Sequence, residues 1–371
     1  MSTWIDGIWY PAEGGWAGRA LGRGLRPLAW PYRAGLALHR TGLRPVRVDR
    51  PVIAVGNLTA GGSGKTPLVI ELVGLLDELG ARVAVLSRGW GRASRGTRVV
   101  RVPGTAALDA RSAGDEPALI AARCPDAAVV VGEDRVDAAR LAIETWRPDV
   151  LVCDDAFQHR RLARDRDLLA VHARRGLGNR RLLPAGPLRE PPAAAARASW
   201  LVFTHAGDAQ PEALRRRHRL LPGPDAAACA FVPAGLVRGA QLQPWDADLP
   251  GRVVAACGVA DPEGFRANLQ RFGLEVVELL ALGDHRPLGS RRLARLAERV
   301  RRAEADALVV TEKDLVKVTQ PPPGLPLAAL RLEARWPAGG GRRRLAADLE
   351  RLLAGDPDAE HAGDGACGDG V

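Results

Sequence analysis

Thr59-Ala60-Gly61-Gly62-Ser63-Gly64-Lys65-Thr66 lies between a short apolar run at 51–55 and a run carrying Leu68, Leu72, Leu75 and Leu79 at helical spacing. Strand, glycine-rich turn, lysine, hydroxyl residue and helix form the context in which a phosphate-binding P-loop works. Glycines let successive backbone N–H groups turn onto phosphate oxygens, and the helix N-terminus adds a partial positive charge. Residues 59–66 are therefore the expected nucleotide-binding set, with Lys65 reaching the β/γ-phosphates and the Thr66 hydroxyl on Mg²⁺. The pattern departs from GxxxxGK[ST] only at its first position, where Thr59 replaces glycine.

Working outward, the helix is expected to stop at Gly80, a suitable residue just past a helix end. Apolar runs at 82–86, 128–131, 150–153, 168–171 and 201–203 alternate with helical stretches such as 135–146. Such alternation predicts an α/β fold with a doubly wound parallel sheet. The run at 150–153 ends in Asp154-Asp155, the arrangement in which an aspartate helps to hold nucleotide-bound Mg²⁺. A second series follows, with strands at 253–257, 274–279 and 307–311 and helices at 262–272 and 290–303. The irregular, proline-rich stretch 208–250 between the two series suggests a domain junction. The expected organisation is a basic amphipathic segment at 1–45, a P-loop domain at 46–215, a second, smaller α/β domain at 216–355 and a disordered acidic tail at 356–371. That tail holds five acids and no Lys or Arg.

Composition narrows the function. With 371 residues, 46% hydrophobic and 26% charged, the chain is an ordinary globular one, which excludes wholesale disorder. Its net charge is +10, but of 53 basic residues only Lys65, Lys313 and Lys317 are lysine. A bias of the whole coding sequence toward arginine weakens charge as an argument for nucleic acid. The arginines are dispersed and no nucleic-acid-binding module is recognisable, so no nucleic-acid partner is expected. A lysine that survives such a bias is expected to do something arginine cannot. Cys124, Cys153, Cys229, Cys257 and Cys367 are scattered and lack a CxxC pair, which fits reduced thiols and suggests neither zinc nor disulfides.

The first thirty residues contain no uninterrupted apolar core of a secretory signal, and no apolar stretch reaches 18 residues, so neither export nor a spanning helix is expected. Yet four tryptophans (Trp4, Trp9, Trp16, Trp30) and both tyrosines (Tyr10, Tyr32) fall within the first 32 residues. There Arg19, Arg23 and Arg26 would lie opposite Leu21, Leu25 and Leu28 on a helix. This is the composition of a helix in a membrane interface; a basic helix packed on its own domain has the same pattern. Gly18, Gly22, Gly24 and Pro27 weaken any helix there. Two other polar spots stay open between structural and catalytic roles on the residues alone. Asp115, in Gly114-Asp115-Glu116-Pro117, opens a helix, and His285 lies in the loop Gly283-Asp284-His285-Arg286-Pro287.

Several separated segments, in this order, carry a resemblance. They are Gly56-Asn57-Leu58 through Thr66-Pro67, Ser87-Arg88-Gly89-Trp90-Gly91, Gly114-Asp115-Glu116-Pro117 and Asp154-Asp155-Ala156-Phe157-Gln158-His159-Arg160. They continue with Leu182 through Glu190, Cys257-Gly258-Val259-Ala260 with Pro262 and Phe265, Asp284-His285, and Thr311-Glu312-Lys313-Asp314. The chain resembles the tetraacyldisaccharide 4′-kinases of lipid A biosynthesis. The resemblance implies ATP and Mg²⁺ as cofactors and transfer of the γ-phosphoryl group to the 4′-hydroxyl of a lipid A disaccharide 1-phosphate, giving lipid IVA. It implies a cleft between two domains and work on the cytoplasmic face of the inner membrane. The glycines, prolines and arginines between Arg19 and Arg33 depart from the family's more apolar N-terminal segment and favour peripheral binding, and a monomer is expected. Carried over residue by residue, Asp115 matches the general base, with His285 as its partner across the cleft. Lys65 and Thr66 match the phosphate and metal positions, Asp154 and Asp155 the acidic pair by the metal, and Glu190 a further acidic residue near it. A deviant-Walker ATPase, whose loop also reads GGxGKT, needs an extra lysine where this chain has Ala60.

Overall fold

The computed structural model describes residues 2–10, 15–40, 44–282 and 288–355. Three helices open the chain: α1 (Ser2–Trp9), α2 (Gly15–Gly24) and α3 (Ala29–Arg40), the last two joined by a 3-10 turn at Arg26–Leu28. The sequence suggested one helix through Arg19, Arg23 and Arg26. Gly24 and Pro27 divide it instead, because proline has no N–H for a continuing helix and glycine favours an ending.

The first domain alternates as expected. Its strands are β1 (Val52–Gly56), β2 (Val83–Ser87), β3 (Arg98–Arg101), β4 (Ala128–Val131), β5 (Val150–Cys153), β6 (Arg166–His172), β7 (Trp200–Thr204) and β8 (Asp225–Ala228). Its helices are α4 (Lys65–Glu78), α5 (Ala110–Ala113), α6 (Asp115–Arg123), α7 (Arg135–Trp146) and α8 (Pro211–Arg217). The strands form one sheet in the order β3-β4-β2-β5-β1-β6-β7-β8, parallel except for β3. Strands β1, β2, β4 and β5 are buried at every residue, as expected of a parallel sheet covered on both faces.

The second sheet contains β9 (Ala230–Arg238), β10 (Gln243–Pro244), β11 (Arg252–Cys257), β12 (Glu275–Ala281), β13 (Ala307–Thr311) and β14 (Leu327–Arg335). Its order is β10-β9-β14-β13-β11-β12, with a parallel block from β14 to β12 and antiparallel β9 and β10. Helices α9 (Pro262–Arg271), α10 (Ser290–Arg302), α11 (Glu312–Leu315) and α12 (Gly341–Ala354) complete the chain. The step between sheets falls between Ala228 and Ala230, within the irregular stretch 208–250. Helix α12 returns to the first domain, where Asp348 accepts from Arg166 and from Trp200. Helix α4 packs on β1 and β2 and also on β14 of the other sheet, so one apolar core runs through both domains. The acidic tail 356–371 lies outside the described residues.

Candidate active site

Neighbouring parallel strands deliver the chemistry. β1 runs into the glycine loop and α4, while β5, hydrogen-bonded beside it, runs into Asp154-Asp155. Parallel strands end at the same edge, so Lys65 Nζ lies 3.4 Å from Asp155 Oδ1. Arg189 adds contacts of 3.1 and 3.0 Å to the two oxygens of that carboxylate. Burial opposes ionisation of Asp155, but the two cations outweigh it and hold its pKa below the usual carboxylate range. Asp154 differs. It is 1% exposed, and burial together with the carboxylates of Glu116 and Asp155 pushes its pKa up, against Lys65 and Arg135. Ser87 Oγ donates to Asp154 Oδ2 at 3.2 Å, while Oδ1 is buried with no hydrogen-bond partner.

The loop is braced from several sides. Asn57 Nδ2 donates to Ser63 Oγ at 2.7 Å and to Thr59 Oγ1 at 3.3 Å. Thr204 Oγ1, at the end of β7, donates to the Ser63 carbonyl at 2.8 Å. Thr59 forms an isolated antiparallel bridge with Leu188. That extended conformation suits any residue, which explains threonine at the first P-loop position. The Ala60 amide donates to the Pro187 carbonyl at 2.7 Å, so the amides open to a phosphate are those after it. Gly61 and Gly64 adopt φ of +106° and +74°, a region that favours glycine. A Cβ on Gly61 would meet open space, whereas one on Gly64 would come within 3.0 Å of Phe231.

Residues 61–66, Asp154 and Asp155 border a cleft of about 2090 Å³. The second domain faces them with residues 258–261, Glu312 and Lys313, and α3 contributes Tyr32 and Leu36. Tyr32 Oη donates to the Arg189 carbonyl at 3.1 Å. Arg88 and Trp90 also line the cleft, with the Arg88 guanidinium 5.9 Å from the ring centre of Trp90. Their loop lies against Gly114, directly before Asp115. Asp115 opens α6 and meets Lys317, Nζ to Oδ2 at 3.6 Å. Its neighbour Glu116 lines the cleft and meets Lys313 at 3.6 Å. His285 lies outside the described residues.

Glu190 stands apart. It is wholly buried, paired with Arg197 at 2.8 Å and Arg160 at 3.7 Å, and, like Asp115, is not part of the cleft wall. Two guanidinium groups already satisfy its carboxylate, so this arrangement does not support the metal role implied by resemblance. Conversely, the sequence reading missed His172 and His205. Their rings stack at 4.5 Å and line the cleft beside Gly64. Burial depresses both pKa values, His172 to about 3 with help from His205 and Arg175, which keeps the rings neutral. The signal was topological: both follow from the carboxyl ends of β6 and β7, the edge where open α/β sheets bind ligands.

The donor set fits a nucleotide with Mg²⁺. Buried Asp154 Oδ1 lacks a partner, and Thr66 borders the same cleft. Mg²⁺ takes one or two carboxylates, a hydroxyl and phosphate oxygens while keeping several waters. Such a cleft belongs to P-loop phosphotransferases, and the expected doubly wound fold with a second α/β domain is observed.

Comparisons with known proteins narrow the class. The sequence profile of the family described as tetraacyldisaccharide-1-P 4′-kinase matches residues 21–353, and the chain belongs to that family. The tetraacyldisaccharide 4′-kinase of Geobacter sulfurreducens is 42% identical over 313 residues, covering 83% of this chain and 87% of that protein. The one from Anaeromyxobacter dehalogenans strain 2CP-C is 40% identical over 324 residues, covering 85% and 86%. LpxK from Aquifex aeolicus, crystallised in complex with ATP, has a TM-score of 0.73 at 30% identity, covering 90% of this chain and 99% of that one.

Proposed function

We propose that the chain transfers the γ-phosphoryl group of ATP to the 4′-hydroxyl of a tetraacyldisaccharide 1-phosphate at a membrane surface. One observation carries this reading. The cleft that holds Lys65 is also bordered by α3, whose Tyr32 and Leu36 face it while Trp30 and Leu38 stay exposed. At 100° per residue those two pairs fall on opposite sides of the helix. A greasy acceptor seated at the bilayer thus has a short route from α3 to the phosphate loop.

Phosphoryl transfer is mostly positioning and charge neutralisation. Lys65 leaves Asp155 for the γ-phosphate when ATP binds, and Arg189 keeps the Asp155 carboxylate paired. The amides of 61–64 take phosphate oxygens without reorganisation because Asn57 and Thr204 already fix the turn. Thr66 and Asp154, with Asp155 beside them, would hold Mg²⁺, which when bound would neutralise charge on the phosphate oxygens. Asp115 accepts the proton of the sugar hydroxyl as the new bond forms, a contribution of ~10²–10⁴-fold in rate. His285 is its partner by family resemblance.

Among the described residues no helix is long and apolar enough to cross a membrane. Exposed Leu21, Leu28, Trp30 and Leu38, interspersed with arginines, favour peripheral docking on anionic lipid. With ATP as the phosphoryl donor, this reading sets the docking at the cytoplasmic face of the inner membrane. The test is incubation of purified protein with γ-labelled ATP and the acceptor in detergent micelles. Label moving to the lipid supports the reading, and label appearing only as inorganic phosphate overturns it.

A further inference from the structure

Each of the chain's three lysines ends on a carboxylate of the first domain: Lys65 on Asp155, Lys313 on Glu116 and Lys317 on Asp115. The first is the P-loop lysine. The other two belong to one short stretch of the second domain, α11 and the residues just after it. A composition that replaces lysine by arginine almost everywhere thus keeps ammonium groups where this stretch meets α6.

Lys317 is the more enclosed, with its side chain 6% exposed. Its Nζ lies 2.6 Å from Asp314 Oδ1 and 3.6 Å from Asp115 Oδ2. Asp314 is itself immobilised, since its Oδ2 accepts from the Gly258 amide at 2.8 Å and from Thr311 Oγ1 at 2.7 Å. The ammonium therefore has a fixed anchor on one side and a carboxylate of the first domain on the other. A compact ammonium suits that space, whereas a planar guanidinium would need to spread its fork between the two carboxylates.

We propose that Lys317 is a positioning residue for phosphoryl transfer: anchored on Asp314, it holds the Asp115 carboxylate in its ionised, proton-accepting form and ties it to the second domain. This rests on Asp115 being the general base. The surroundings call for such a cation. Glu116 is adjacent in sequence and lies 3.6 Å from Lys313 on the same short stretch, so two carboxylates crowd this corner, and crowded carboxylates favour protonation of one another. A protonated Asp115 cannot take the proton of the sugar. Because the anchor belongs to the second domain, the base is held ready only while the two domains are together.

A double-mutant cycle in the full chain tests this, with Lys317→Met, Asp115→Asn and the combined variant compared for kcat, KM for ATP and Tm. Lys317→Met is expected to lower kcat about tenfold or more, the scale on which contacting residues couple, without raising KM for ATP. Asp115→Asn is expected to be slower still, and the combined variant no slower than Asp115→Asn alone. Losses that multiply in the combined variant, or an unaltered kcat in Lys317→Met, overturn the proposal while the base reading stands. Near-normal kcat in Asp115→Asn overturns the base reading itself. Lys317→Gln supplies the same comparison where the methionine variant melts below the assay temperature.

Discussion

Lys65 and Asp155 face each other at 3.4 Å across the carboxyl edge shared by β1 and β5. The pair places the P-loop ammonium at the mouth of the phosphate site, and Arg189 already pairs with the same carboxylate. Lys65→Ala is therefore expected to lower kcat by ~10²–10³-fold, the usual cost of removing one charge-stabilising donor. Tm should change little because Asp155 retains Arg189. Steady-state kinetics with a thermal melt check both halves.

Gly56, the last residue of β1, lets Phe157 cross closely behind the corner that carries Asp154 and Asp155. A Cβ there would lie 2.5 Å from Phe157 Cβ and 2.7 Å from its backbone nitrogen. Gly56→Ala is expected to cost about 1–3 kcal/mol of stability, as overpacking does. It should also lower kcat by displacing Asp154 and Asp155. Denaturant melts and kcat measured on one preparation test this, and a variant as stable and active as the parent would contradict the packing described.

Arg166 and Asp348 join β6 to α12 through two contacts of 3.0 Å, and Trp200 Nε1 donates to the same carboxylate at 2.9 Å. Asp348→Ala removes both carboxylate contacts of a buried guanidinium and the partner of Trp200 Nε1, and is expected to cost about 3–5 kcal/mol. Burial works against the Asp348 carboxylate, but the hydrogen bonds from Arg166 and Trp200 outweigh it and depress its pKa. A depressed carboxylate contributes stability above its unfolded pKa of about 3.9 and loses it as pH falls through the folded value. Asp348→Asn should accordingly flatten the stability profile below about pH 4, as read by urea melts across that range.

On α3, Trp30 and Leu38 are 79% and 75% exposed. Burying a large apolar side chain is worth about 1.5–3 kcal/mol, so Trp30→Glu with Leu38→Glu should lower partitioning onto anionic liposomes by tenfold or more, by about that energy. Co-sedimentation measures this, and unaltered partitioning would remove α3 as the docking element.

The parts of the fold legible in the sequence were those buried on both faces. Residues 128–131, 150–153 and 307–311 are continuous apolar runs, and they appear as β4, β5 and β13 with the same limits. Of the strands lacking that signal, β12 was expected although it is only partly buried, but β8 and β9 were not. β8 is one aspartate and three alanines, and β9 contains Pro233 and Gly235, residues poorly suited to strands. Their place comes from neighbours supplied by distant sequence. The site divides in the same way. Lys65 with Asp154 and Asp155 is a local motif twice over, whereas His172 and His205 acquire meaning only once the strand order sets them at the cleft, and Lys317 only once the second domain sets it against Asp115. Glu190 shows the opposite limit, because sequence likeness cannot reveal that Arg197 and Arg160 already hold its carboxylate.

The most direct measurement is proton-coupled ³¹P NMR of the lipid product formed from ATP and tetraacyldisaccharide 1-phosphate. A new phosphomonoester coupled to the proton on carbon 4′, formed one for each ATP consumed, is the predicted result. A pyrophosphate at carbon 1, or ATP consumed with the lipid unchanged, would contradict the delivery of the γ-phosphoryl group from the Lys65 loop to a sugar alcohol.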